Sequence, residues 1–117
     1  MLIAIPVATD RGEDSAISEH FGRSPYYAFV KIEGDKIVSI NIEPNPFSQH
    51  GPGQIPGYMR EKGVDVLIVR GIGRKAIEYL NEYGIQVIRG AHGTIKEVVQ
   101  NFLEGKLESV EYEHKER

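Results

Sequence analysis

The chain opens on an unbroken apolar run, Leu2-Ile3-Ala4-Ile5-Pro6-Val7-Ala8, that stops at the polar Thr9-Asp10-Arg11-Gly12. Continuous apolarity over so short a length predicts a buried strand. Pro6 has no N–H to give, which places it near a bulge or a strand end. Residues 10–25 are expected to form a long polar loop. Two further runs, residues 26–32 and 36–42, flank Glu33-Gly34-Asp35 and predict a β-hairpin, because Gly34 supplies the positive φ of a short turn. Strict alternation in the second run would set Ile37 and Ser39 on one face and Val38 and Ile40 on the other, leaving an apolar residue on each.

Four prolines and three glycines lie between Pro44 and Gly57, too many missing donors and loosened joints for one regular element across the whole stretch. Ile55, Met59 and Lys62 then have helical spacing, with Gly63 where a C-terminal cap belongs. Residues 64–69 read as another buried strand. Residues 74–83 predict a helix with Ile77, Leu80 and Tyr83 inward, stopped by Gly84, and residues 85–88 a short strand. Thr94-Ile95-Lys96-Glu97 is a capping box opening a last helix, whose apolar stripe is Ile95, Val98, Val99 and Phe102 and whose stop is Gly105. The order β, ββ, α, β, α, β, α predicts an α/β fold: three layers, α/β/α, around a mixed five-stranded sheet, with helices on both faces. Residues 1–107 are expected to be a single domain and residues 108–117 a charged C-terminal tail, either frayed or added as an edge strand.

At 117 residues one domain should bury roughly two thirds of the unfolded chain's surface and needs no covalent staple. The absence of Cys excludes disulfides, thiol nucleophiles, Cys-rich zinc sites and four-thiolate iron–sulfur sites. A net charge of −3 speaks against a general nucleic-acid binder. The first apolar run is too short for a membrane span and lacks a basic leader, so a cytoplasmic location and no membrane contact are expected.

In open α/β sheets, ligands bind beyond the carboxyl ends of parallel strands, where glycine-bearing loops lead into helix N-termini. Three such ends are expected here: the loop with His20 after the first strand, Arg70-Gly71-Ile72-Gly73-Arg74 after residue 69, and Arg89-Gly90-Ala91-His92-Gly93-Thr94 after residue 88. Gly71-Ile72-Gly73-Arg74-Lys75-Ala76 matches the dinucleotide pattern G-x-G-x-x-A, but the ribose-binding acid that should follow is missing, which leaves a general anion-binding turn or a tight strand-to-helix turn with no ligand. His20, His50 and His92 fall in three separate loops predicted to share one edge, and are the candidate metal ligands. His114, in the tail, reads as an ordinary exposed side chain. Asp10, Asp14 and Glu19 offer an alternative, the carboxylate cluster of a metal-dependent phosphoester hydrolase. An anion-sensing regulatory module is a further alternative. No G-x-S-x-G, Walker A or His-Glu-x-x-His sequence supplies a nucleophile, phosphate loop or zinc base.

Ile3-Ala4-Ile5-Pro6-Val7, Ser18-Glu19-His20-Phe21-Gly22-Arg23-Ser24-Pro25-Tyr26, Asn45-Pro46 followed by His50-Gly51, Gly63-Val64-Asp65-Val66, Gly71-Ile72-Gly73 and Gly90-Ala91-His92-Gly93-Thr94 stand in colinear order over residues 1–107. In that combination the chain resembles the dinitrogenase iron–molybdenum cofactor biosynthesis family, which includes the NifX-like nitrogenase accessory factors and the C-terminal domain of NifB. The resemblance implies a ribonuclease-H-like motif without nuclease activity. It also implies a small non-enzymatic binding or carrier protein for an iron–sulfur or iron–molybdenum cofactor precursor, held transiently, with a cofactor-assembly or acceptor protein as partner. The positions that match, and so would bind the cofactor, are His20, Phe21, Gly22, Arg23, Asn45, His50, Gly71, Ile72, Gly73, Arg74, Gly90, His92, Gly93 and Thr94. Arg70 and His92 depart from the smaller residues common in relatives, and make the expected cleft more basic and richer in ligands. Imidazole suits iron, and guanidinium with helix N–H groups suits the negative charge of a sulfide-rich cluster or its organic acid.

Overall fold

β1 (Leu2–Val7) lies at the centre of a five-stranded sheet ordered β3-β2-β1-β4-β5. Its neighbours are β2 (Tyr26–Glu33), antiparallel, and β4 (Val66–Ile68), parallel. β3 (Lys36–Pro44) closes the hairpin on β2, and β5 (Gln86–Ile88) runs parallel to β4 on the other side. Helices α1 (Gln54–Lys62), α2 (Arg74–Glu82) and α3 (Ile95–Leu103) complete the fold. This computed structural model describes residues 1–47, 49, 51 and 53–109. The tail from residue 110 onward, where an edge strand was one expectation, lies outside them.

The alternation along β1 sorts the core into two layers. Ile3, Ile5 and Val7 point to the side where Ile95, Val98 and Val99 of α3 close over Val30 and Ile68. Ala4 points the other way, where Ile55 and Met59 of α1 and Leu80 of α2 pack on Tyr27, Phe29 and Leu67. The helices therefore cover both faces of the sheet, as the order of elements predicts. Pro6 is tolerated in a central strand for a simple reason. Met1 and Ile32 exchange both backbone bonds, which turns the odd residues of β1 toward β2 and the even ones toward β4. β4 pairs with Ile3 and Ala4 and the ladder ends there, where Pro6, the next even residue, has no N–H with which to extend it.

Two details refine the elements. The hairpin register slips between Lys31 and Ile32: Lys31 faces Ser39 but Ile32 faces Ile37, so Val38 is an extra, bulged residue. The bulge restores Ile37 to the α3 side, where it lines a groove with Val99 and Leu103, and the imperfect alternation of the sequence is its trace. Second, α1 begins at Gln54, one residue before the Ile55 with which the helical spacing starts, so the proline- and glycine-rich stretch ends in a helix. Pro56 falls in the first helical turn, where backbone N–H groups have no partner within the helix.

α1 is fastened to the hairpin by Glu43, whose carboxylate accepts from Lys62 Nζ at 2.7 Å and Tyr58 Oη at 2.8 Å. These two bonds hold the Glu43 carboxyl below its usual value, while burial, and then the bond to Glu43, raise the Tyr58 hydroxyl well above its own. A carboxyl lowered on folding stabilises the protein above its unfolded value and ceases to do so as the pH falls through the folded one. In urea unfolding, the parent should therefore lose stability below about pH 4.5 more steeply than Glu43→Gln. The difference should stay under about 1 kcal/mol, because both partners are more than a third exposed. Coincident profiles would show that the pair contributes nothing.

Candidate functional site

Residues 10–25 are not the irregular loop that their polarity suggests. A single 3₁₀ turn (Gly12–Asp14) leads into a strip stitched to three other segments. Ala8 N–H donates to Ala16 O at 2.8 Å and Ser18 N–H to Pro6 O at 2.9 Å. Ile17 N–H reaches Gly93 O at 2.9 Å, and Ile95 N–H reaches Ser15 O at 3.0 Å. Further along, His20 forms a parallel bridge with Gly71, and Phe21 N–H donates to Gly71 O at 3.1 Å. Phe21 is 4% exposed, its ring meeting Tyr27 edge-on at 6.1 Å between centroids. His20 beside it is half-buried and Arg23 exposed. The aromatic thus anchors the strip while its neighbours stay accessible.

The loops after β1, β4 and β5 accordingly share one edge of the sheet, the one beyond the carboxyl ends of the parallel strands. They do not form one cleft. A depression of about 340 Å³ is lined by His20, Phe21, Gly22, Arg23 and the turn Gly71, Ile72, Gly73. A second, of about 450 Å³, is lined by Ala16, Ile17, Glu19, Arg70, His92, Gly93 and Thr94. The bridged residues His20 and Gly71 line the first and their chain neighbours Glu19 and Arg70 the second, so His20 and His92 occupy adjoining depressions. His50 lies outside the described residues. Among the described residues no three His, Cys, Asp or Glu side chains gather as a metal site would require. Asp10, Asp14 and Glu19 therefore do not form the cluster on which the hydrolase reading depends.

The two glycine turns differ in what they offer an anion. At the start of α2 the N-cap Gly73 has no side chain to bond the first turn, and the first residues are Arg74 and Lys75 with no acid among them. Free N–H groups and two cations there favour negative charge. At α3 the capping box is closed: Thr94 N–H donates to Glu97 Oε1 at 3.0 Å, and Glu97 N–H donates to Thr94 Oγ1 at 3.3 Å. Gly93, at φ +109°, leaves room for that carboxylate, since a Cβ there would stand 2.5 Å from Glu97 Oε1. The Gly93 turn thus already holds an internal anion.

Asn45 stands behind the first depression. Its Nδ2 donates to Ser24 O at 3.0 Å, its Oδ1 accepts from Phe47 N–H at 2.9 Å, and its own N–H donates to Pro25 O at 2.9 Å. Tyr27, fully buried, donates its hydroxyl to Phe21 O. Burial, and then the neighbouring Tyr58, raise the Tyr27 hydroxyl far above its usual value, so it remains a donor. Ser24, 1% exposed, bonds Tyr26 O at 2.7 Å. Tyr27 is not among the motif residues read from the sequence, and Ser24 stands there only within the motif of residues 18–26. The available signal for Tyr27 was a phenol in an otherwise apolar strand, which must find a partner when buried.

The fold is that of an α/β protein with a mixed five-stranded sheet, a class in which ligands bind beyond the carboxyl ends of parallel strands. The chain belongs to the dinitrogenase iron–molybdenum cofactor family, whose model matches residues 1–105. It is 35% identical over 114 residues to an uncharacterized protein of Methanocaldococcus jannaschii, covering 95% of this chain and 92% of that one. The crystal structure of PH0822 is 43% identical and superposes with a TM-score of 0.85, over 94% of this chain and 96% of that one. The NMR structure of a candidate NifB protein from Thermotoga is 28% identical with a TM-score of 0.77, over 99% and 98% of the two chains. Among the described residues no helix is long and apolar enough to cross a membrane.

Proposed function

We propose that the protein is a cytoplasmic, non-enzymatic carrier that binds an iron–sulfur or iron–molybdenum cofactor precursor and passes it to a cofactor-assembly or acceptor protein. Family membership supports the kind of cargo. The observation that carries the reading is the bridge of His20 to Gly71, which sets an imidazole, the guanidinium-bearing Arg23 and the uncapped start of α2 around one shallow depression. An imidazole can ligate iron, and cations with backbone N–H groups can meet a sulfide-rich anion. With no thiolate and few imidazoles, such a site suits a cargo that keeps its own sulfides and leaves again. His92 and Arg70 in the adjoining depression would extend the contact to a larger cluster or its organic acid. The strand order, with β2 antiparallel to β1, supports the ribonuclease-H-like motif that the resemblance implies.

Anaerobic incubation with iron, sulfide and molybdate, followed by desalting, metal analysis and a visible spectrum, tests the reading. The parent should retain iron or molybdenum, and His20→Ala should bind about tenfold more weakly, a loss of about 1.4 kcal/mol. The folding stability of His20→Ala should change by no more than about 1 kcal/mol. Retention should weaken as salt rises, because the cationic groups are exposed. A parent that retains no metal, or a His20→Ala variant that binds as tightly, would overturn the proposal. The uncapped α2 start also favours an anion sensor, and binding of molybdate or phosphate without iron would select that reading.

A further inference from the structure

We propose that Tyr27 and Asn45 are positioning residues, which hold the backbone of residues 21–25 in the form that presents His20 and Arg23. The proposal rests on the reading of residues 20–23 as part of the cargo site, but neither residue needs to touch the cargo. Phe21 O accepts from the Tyr27 hydroxyl, Ser24 O from Asn45 Nδ2 at 3.0 Å, and Pro25 O from Asn45 N–H at 2.9 Å. Three of the five carbonyls in this segment are thus tied down from behind. The anchor points are rigid: Tyr27 belongs to β2, paired on both sides with Pro6 and Glu43, and its ring packs on Phe21 and Tyr58.

Asn45 is chemically specific. Its amide gives a proton to Ser24 O and takes one from Phe47 N–H at the same time, and Nδ2 also comes within 3.5 Å of Tyr27 Oη. A carboxylate of the same shape would keep the acceptor and lose the donor, setting an oxygen against the Ser24 carbonyl. Side chains behind a binding segment act by removing the cost of ordering it when the ligand arrives. Releasing them should loosen the segment first and weaken binding as a result.

The test uses Tyr27→Phe, which keeps the ring, together with Asn45→Ala and Asn45→Asp. In the metal-free protein, amide exchange at Phe21, read against Ile3 and Ile5 of β1, should quicken by about tenfold relative to the parent. A merely structural loss would speed the β1 amides equally, and that result would overturn the proposal. Anaerobic titration with tetrathiomolybdate, followed by its visible absorption, should show Kd raised about tenfold in each variant, with Asn45→Asp at least as affected as Asn45→Ala. In the double variant His20→Ala with Tyr27→Phe, the second change should add little, as expected of a residue that acts through the first. Unchanged exchange at Phe21, or faster exchange with an unchanged Kd, would overturn the positioning role. A parent that binds no tetrathiomolybdate would overturn the cargo reading instead, and the exchange data would still decide the positioning role.

Discussion

Phe21→Ala should cost about 3–5 kcal/mol of folding stability, more than any substitution of the accessible residues around it. The ring is 4% exposed and belongs to the same packed cluster as Ile55, Met59 and Leu80, so its removal leaves a cavity rather than an open surface. It also loses the edge-on contact with Tyr27 at 6.1 Å, of a kind worth about 0.5–1.5 kcal/mol beyond the area buried. Because the Phe21 amide and carbonyl are bonded to Gly71 and Tyr27, the strip would loosen as well, and cargo binding should fall with stability. Urea unfolding at neutral pH measures the effect as a lower midpoint with an unchanged slope. A loss below about 1 kcal/mol would show that the ring contributes little to the core.

Met59→Ala should be nearly as damaging to the fold, by about 2–5 kcal/mol, and yet leave cargo affinity close to that of the parent. Met59 is fully buried on α1, and its carbonyl accepts from Val64 N–H at 3.2 Å where Gly63, at φ +81°, turns the chain out of the helix. It lines neither depression at the sheet edge. The two variants therefore separate general stability from anchoring of the strip. If Met59→Ala lost binding as severely as Phe21→Ala while still folded, the loss in Phe21→Ala could not be assigned to the strip.

Periodicity made most of the sheet and the helices legible, because burial of β1, β4 and α3 leaves an apolar pattern local in sequence. The start of α1 was legible to within a residue from the spacing of Ile55, Met59 and Lys62, and its place in the first turn is what makes Pro56 harmless there. The order within residues 10–25 was hidden. Its bonds go to Pro6, Gly71 and Gly93, and backbone pairing between distant segments leaves no mark on side-chain composition. The same holds for the division between His20 and His92, which depends on where residues 19–20 meet residues 70–71. Asn45 stood out as part of a motif, but the partners that explain it, Ser24 and Pro25, are some twenty residues away.

The slipped hairpin register bears on how the molecule avoids its own kind. Along β3, the outer strand of the hairpin, Ile37 and Val38 are exposed, the sort of apolar edge on which another chain could lay a strand. A flat edge would allow such addition to repeat, chain upon chain. A bulge such as the one at Val38 bends a strand and increases its local twist, and Lys36 puts a charge beside it. An incoming strand would have to match the kink or forgo several of its bonds, so two apolar residues on an outer strand do not by themselves make that edge a template for strand addition.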